Sequence, residues 1–222
     1  LTRVPYWVYA DQSLYQMEME RIFRGDTWSF LCLEAEVPRP NTFRTSYLGD
    51  MSVVVTRDAE GKIHAFENRC AHRGALLCLK ERGEAKEIAC VYHNWIYDLC
   101  GNLTGVAFRR GIGGKGGMAP DSHPEEHAPR QLRVEVFAGL VFGTLGKNAP
   151  PLEAYLGANI APSIRRVMKK PVKVLGSYSQ ILPSNWKLYM ENTKDSYHAS
   201  LLHMFFTTFR LNRLSQKGGL VI

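Results

Sequence analysis

No apolar run in these 222 residues approaches the roughly 20 that a membrane-spanning helix needs. The longest, such as Phe137 to Leu145, contains glycine and is only strand-length. No signal-peptide pattern opens the chain, so a cytoplasmic protein without a membrane anchor is expected. Charge is also modest. With 22% charged and 45% hydrophobic residues the composition is that of an ordinary globular chain with enough apolar mass for a sizeable core. At this length, two domains, or one and part of another, are expected.

The formal charge of +7 is spread out, with short clusters only at Arg109-Arg110, Arg165-Arg166 and Lys169-Lys170. No basic stripe is interleaved with aromatics, so nucleic acid is not expected as a partner. A basic surface suits an acidic protein instead. The glycine-rich stretch Gly111 to Gly117 lacks a Ser or Thr after Lys115, is followed by no helical pattern, and meets Pro120. It therefore fails as a phosphate loop and reads as a flexible surface loop. The five cysteines are Cys32, Cys70, Cys78, Cys90 and Cys100. Cys70 and Cys90 belong to the motif below, and an odd remainder of three argues for a reducing compartment. Cys32, Cys78 and Cys100 are read as small, buried apolar residues.

What the chain does have is a pair of Cys-His couples. Cys70-x-His72 is followed after seventeen residues by Cys90-x-x-His93. Two thiolates and two imidazoles would satisfy one tetrahedral zinc. They would equally satisfy a Rieske [2Fe–2S] centre, with the cysteines on one iron and the histidines on the other. The neighbours separate the two. The couples continue as His72-Arg73-Gly74 and His93-Asn94-Trp95, and CxHRG followed by CxxHxW resembles the Rieske signature. Gly74 is expected to let backbone N–H groups approach the centre closely.

Around these couples the pattern is one of short strands with glycine turns. Strands are expected at Phe43 to Leu48, Met51 to Arg57, Ile63 to Glu67, Glu87 to Cys90, Trp95 to Leu99, Leu132 to Val136 and Leu140 to Thr144. Before them, Asp11 to Ser13 offers helix caps, and Leu14 to Phe23 follows a helical spacing that stops at Gly25. After Pro150-Pro151, Leu152 to Met168 reads as a helix interrupted at Gly157 and Pro162. Val172 to Leu182 reads as a strand, and a further helix begins at Asn185.

That last helix carries Glu191, Asp195, His198 and His203. Helical geometry places Glu191, Asp195 and His198 on one stripe. His203 is about 140° from His198 on a regular helix, so both can face one metal only if the helix bends or ends between them. Two imidazoles completed by a carboxylate would form the two-His-one-carboxylate iron site that leaves positions open for oxygen.

Taken together, the two sets resemble the large subunits of Rieske non-haem iron aromatic-ring-hydroxylating oxygenases. The family's D-x2-H-x4-H motif matches Asp195, His198 and His203. The stretch from Asn185 to Gly219, including Leu201 to Thr208 and Asn212 to Gly218, is most similar to the branch that oxidises aromatic carboxylates of the terephthalate, anthranilate and salicylate kind. The resemblance implies an α+β chain with an antiparallel β Rieske domain over residues 27–148. A helix at 1–26 would pack on a catalytic domain of helix-grip type that begins at 149 and is incomplete at 222.

It also implies [2Fe–2S] at Cys70, His72, Cys90 and His93, with mononuclear Fe(II) at His198, His203 and an Asp further downstream. The implied reaction is cis-dihydroxylation of an aromatic acid with O2. Electrons would come from NADH through a separate reductase, with or without a ferredoxin. A homotrimer, with or without a small β subunit, is the implied assembly. Asp195 would hydrogen-bond His198 and reach His72 or His93 of a neighbouring subunit. Three alternatives stay open: a monooxygenase of salicylate-hydroxylase type, a Rieske electron carrier, and a zinc-stabilised interaction module. The carrier leaves the helix from Asn185 without a role, and the zinc module predicts a colourless protein.

Overall fold

The computed structural model describes residues 3–119, 121–195, 198, 202–204, 208–209 and the backbone of 216–217 and 220–221. Leu201, Phe205 to Thr207 and Asn212 to Ser215, which contribute to the family resemblance, lie outside the described residues. The chain divides into two compact units, Tyr15–Ser177 and a second that joins Leu1–Leu14 to Tyr178–Ile222.

The larger unit is built on a seven-stranded sheet in the order β1-β10-β9-β4-β3-β2-β5, with every neighbouring pair antiparallel. The strands are β1 (Ser29–Leu33), β2 (Thr42–Leu48), β3 (Met51–Arg57), β4 (Ile63–Glu67), β5 (Arg82–Glu84), β9 (Gln131–Phe137) and β10 (Leu140–Thr144). A second sheet of three short strands follows the order β6 (Ile88–Ala89), β7 (Ile96–Tyr97), β8 (Leu103–Gly105). The strands expected at Glu87 to Cys90 and Trp95 to Leu99 thus shrink to two residues each. Their flanking residues are spent on the loop that carries the second couple and on a turn at Asp98 to Gly101.

Hairpin chemistry sets the register of β2 and β3. Leu48 pairs with Met51 across the two-residue turn Gly49-Asp50, and Gly49 has φ +59°. Such turns need positive φ, and here a Cβ would also press within 2.8 Å of the Met19 sulfur. Strand β3 is apolar on both faces. Val54 packs into a core with Phe43, Phe66, Cys70, Cys90, Trp95 and Tyr97. Val53 and Val55 point the other way, into a core with Leu31, Leu48, Ala65 and Val141. Each fully buried valine contributes roughly 1.5–3 kcal/mol. The first core is the one that holds the two cysteines.

Helix α3 (Leu152–Val167) closes a third core, with Leu152 and Ala161 against Trp28, Phe137 and Phe142. The Trp28 indole donates to the Pro150 carbonyl at 2.8 Å, fixing the chain as it leaves β10. As expected, α3 is kinked at Gly157, whose φ is +67°.

Three expectations need correction. Val172 to Leu182 forms no strand. Its alternating apolar residues find no sheet edge, and Leu175, Tyr178 and Ile181 are exposed. The first helical stretch is also broken, into α1 (Trp7–Ala10), α2 (Gln12–Glu18) and a π-helical turn at Met19–Phe23. Asp11 does act as the cap, its Oδ1 accepting from the Leu14 amide at 2.7 Å. Helix α4 (Trp186–Lys194) starts as expected, with the Asn185 side chain accepting from Lys187 N at 2.9 Å. It ends before Asp195, which is extended at ψ 96°. The continuous helical stripe through Glu191, Asp195 and His198 therefore does not form.

Among the described residues, no helix is long and apolar enough to cross a membrane. The remaining strands, β11 (Gln216–Lys217) and β12 (Leu220–Val221), form an antiparallel pair.

Candidate iron–sulfur and metal sites

The two Cys-His couples sit on loops with the same hydrogen-bond plan. In the first, Cys70 N–H donates to the Ala75 carbonyl and Gly74 N–H donates back to the Cys70 carbonyl, both at 2.8 Å. In the second, Cys90 N–H donates to the Trp95 carbonyl at 2.8 Å and Asn94 N–H donates to the Cys90 carbonyl at 2.9 Å. The equivalent residues Gly74 and Asn94 both have positive φ, +71° and +54°. This is the physical reason for the glycine, since glycine and asparagine are the residues that enter the left-handed region most readily. A Cβ on Gly74 would meet only the Arg69 guanidinium, at 3.9 Å. The turn's conformation is by itself sufficient to call for a glycine at this position.

The loops bring all four side chains together. Cys70 and Cys90 are each 3% exposed, whereas His72 is exposed and His93 half-buried. The imidazole centroids lie 4.6 Å apart. Both thiols are free of disulfides. Two sulfurs inside and two imidazoles outside match a binuclear centre with unlike ends, one end bound by thiolates and the other by histidines. The Trp95 ring stacks on His72 at 4.9 Å and 11°, which fixes that imidazole's plane. Local desolvation beside the Trp95 ring, then His93 and Arg73, hold the exposed His72 below its ordinary pKa, favouring the neutral ring that binds metal. Beside the histidines opens a cleft of about 920 Å³, walled by Tyr92, Phe108, Ile112 and Met118. The loop of Gly111 to Gly117 lines it.

Two supporting residues escape a reading of the sequence for ligands alone. Tyr97, fully buried, places its phenol oxygen 3.3 Å from Cys70 Sγ and accepts the Ala71 amide at 3.1 Å. Burial, then the Cys70 contact, raises its pKa, so it remains a phenol. Asn68 holds the far side of the first loop. Its carboxamide oxygen accepts from Leu77 N and Cys78 N, and its amide donates to the Cys78 carbonyl. Tyr97 could have been found from its place two residues after Trp95 in the second couple, whereas Asn68 carries no such signal.

In the other unit, the His198 and His203 rings lie 5.2 Å apart. Asp195 Oδ2 is 3.2 Å from His198 Nδ1. Although that distance is short, its geometry does not make a hydrogen bond, and His198 Nδ1 is buried without one. A carboxylate facing one ring nitrogen of an imidazole that lies beside a second imidazole fits a metal-ligating role for the ring, with the carboxylate behind it.

The Rieske [2Fe-2S] domain family matches residues 27–112. The chain carries a Rieske domain. Along its whole length it is 56% identical to the terephthalate 1,2-dioxygenase terminal oxygenase component subunit alpha 2 of a Comamonas species, covering 54% of that protein. It is 51% identical to the anthranilate 1,2-dioxygenase large subunit of Burkholderia cepacia, over 98% of this chain and 51% of the relative. Among solved structures, naphthalene 1,2-dioxygenase from a Rhodococcus species superposes with a TM-score of 0.78 at 28% identity, covering 97% of this chain and 48% of that one. The chain is thus a Rieske-domain protein closely related to aromatic-ring dioxygenase alpha subunits, and it spans about half the length of the curated relatives it matches. Its architecture is an antiparallel β domain followed by the start of a helical region.

Proposed function

We propose that this Rieske-domain chain is part of the large subunit of a multicomponent oxygenase that cis-dihydroxylates an aromatic carboxylate of terephthalate type. The observation that carries this reading is the presence of two ligand sets in one chain, the Cys70/His72/Cys90/His93 set and the His198/His203 pair with Asp195 alongside. A Rieske carrier needs only the first. Bound at these residues, a [2Fe–2S] centre would supply single electrons and Fe(II) would supply O2 activation.

The protein's own contributions can be assigned. Cys70 and Cys90 hold the inner end of the first site, and His72 and His93 its outer end. Tyr97 offers a proton donor to the Cys70 sulfur, and Trp95 orients His72. Asp195 is proposed to orient His198. The proposed layout keeps residues 1–26 with the catalytic part, 27–148 as the Rieske domain and 149–222 as the start of a helix-grip domain. The proposed setting is a cytoplasmic trimer of large subunits receiving NADH-derived electrons from a reductase. Relatedness to enzymes named for terephthalate and anthranilate favours a substrate with a ring carboxylate.

The test is turnover by the full-length protein with its reductase. Terephthalate should give a cis-diol and naphthalene should give none, because a site built for a carboxylate is left with an unpaired charge by a hydrocarbon. His198→Ala and His203→Ala should abolish turnover and the mononuclear iron while leaving the Rieske EPR signal. Equal oxidation of both compounds refutes the substrate assignment, and full activity in either histidine variant refutes the site.

A further inference from the structure

A second convergence of ligand-type side chains lies in the β domain, outside the Rieske ligand set. Asp58 closes β3, His64 lies on β4 and Cys100 sits in the turn after β7. Their donor atoms all fall within 4.8 Å of one another. His64 Nε2 is the meeting point, 2.6 Å from Asp58 Oδ2 and 3.5 Å from Cys100 Sγ. We propose that Asp58, His64 and Cys100 form a binding site for a borderline divalent cation of the zinc class.

Hydrogen bonding alone leaves this trio incomplete. A ring nitrogen carries either a proton or a lone pair. If Nε2 holds the proton and donates it to Asp58, it has no lone pair for the Cys100 thiol. If it holds the lone pair, it faces a carboxylate oxygen at 2.6 Å as acceptor against acceptor. A cation at the common point serves all three groups at once. One nitrogen, one sulfur and one carboxylate oxygen make the mixed donor set that zinc accepts, with a water as fourth ligand. Zinc–ligand lengths put neighbouring donors about 3.5 Å apart in a tetrahedron. The His64–Cys100 edge already has that length, and the His64–Asp58 edge must open by about 0.9 Å, within reach of a side-chain rotation.

The surroundings fix two of the donors and favour positive charge. Asp58 Oδ1 accepts the Lys62 amide at 2.7 Å, which leaves Oδ2 aimed at His64. The Cys100 amide donates to Asp98 Oδ1 at 2.9 Å, and Thr56 Oγ1 bonds the Leu99 carbonyl, tying that turn to β3. The groups acting on the Cys100 thiol are burial and the carboxylates of Asp98, Asp58 and Glu60, which raise its pKa, with Lys62 opposing. A dication in that field offsets the cost of ionising the thiol. Asp58 is buried while His64 and Cys100 are half-buried, so the water position faces outward.

The experiment is zinc equilibrium dialysis on the full chain with its four Rieske ligands and its His198/His203 pair both occupied by iron, read by metal analysis together with iron and sulfide content. A single zinc ion should bind in addition to the iron. His64→Gln, Cys100→Ser and Asp58→Asn should each weaken it by at least about 100-fold, since loss even of a group behind a ligand costs 10- to 100-fold. Iron and sulfide should stay at the wild-type level. Cobalt(II) added to the unmutated protein should give tetrahedral visible bands and a thiolate charge-transfer band in the difference spectrum. No additional zinc, zinc of unchanged affinity in Cys100→Ser, or cobalt bound without the thiolate band would each overturn the proposal.

Discussion

The Tyr97 phenol lies 3.3 Å from the Cys70 sulfur while its oxygen accepts the Ala71 amide. Because that amide fills one acceptor position, the phenol proton is directed to the sulfur. A hydrogen bond to a cluster-ligating thiolate stabilises the more negative, reduced state. Tyr97→Phe should therefore lower the Rieske reduction potential by roughly 60 mV, a tenfold change in a one-electron equilibrium. Redox titration followed by EPR measures it, and an unchanged or raised potential would contradict the assignment.

Asn68 is 2% exposed and bonds Leu77 N, Cys78 N and the Cys78 carbonyl. Truncation leaves these buried backbone groups unpaired. Asn68→Ala should cost at least about 3 kcal/mol of stability, at about 1–3 kcal/mol for each of the three buried groups left without a partner. Urea unfolding showing a loss below about 1 kcal/mol would mean that water replaces the side chain there.

Gly74 and Asn94 occupy equivalent left-handed positions, and the two loops can be compared directly. Gly74→Ala should destabilise by about 1–2 kcal/mol through backbone strain alone, because nothing crowds the new methyl group. Asn94→Gly should be neutral or slightly stabilising. Thermal unfolding of the two variants side by side is decisive, and equal losses would refute the strain argument.

Cys32 and Cys78 are buried thiols. Burial, followed for Cys32 by Glu36, pushes the first up to about 12, and burial alone does the same for Cys78. Against an ordinary thiol of 9.0, their thiolate fraction at pH 8 falls by roughly a thousandfold. Native-state alkylation followed by mass spectrometry should leave both unlabelled until denaturant is added. Prompt labelling of either would show that the β domain opens there.

Much of the β domain is legible in the sequence because its signals are local. Gly49-Asp50 and the turn from Asp58 to Gly61 bound β3 on both sides, and the spacing of Cys70, His72, Cys90 and His93 marks the ligand set. What is not legible depends on distant partners. Val172 to Leu182 alternates like a strand, but strand formation requires an edge to pair with, and the sequence cannot say that none is offered. Strand β1 goes unseen for the converse reason, since its partner β10 lies over a hundred positions away. The end of α4 at Lys194 carries no glycine or proline to announce it. Cys100 reads as one more apolar filler until the fold sets it beside His64 and Asp58.

The matching hydrogen bonds of the two cysteine loops tie the ligand set to the backbone of the β domain. Each loop takes its form from amide–carbonyl bonds that involve no ligand atom, and Asn68 and Tyr97 brace the first of them. The course of both ligand loops is thereby written into the same backbone bonding that builds the β domain, so the spacing of the four donor side chains is a property of the fold and any change that loosens a loop's turn alters that spacing as well.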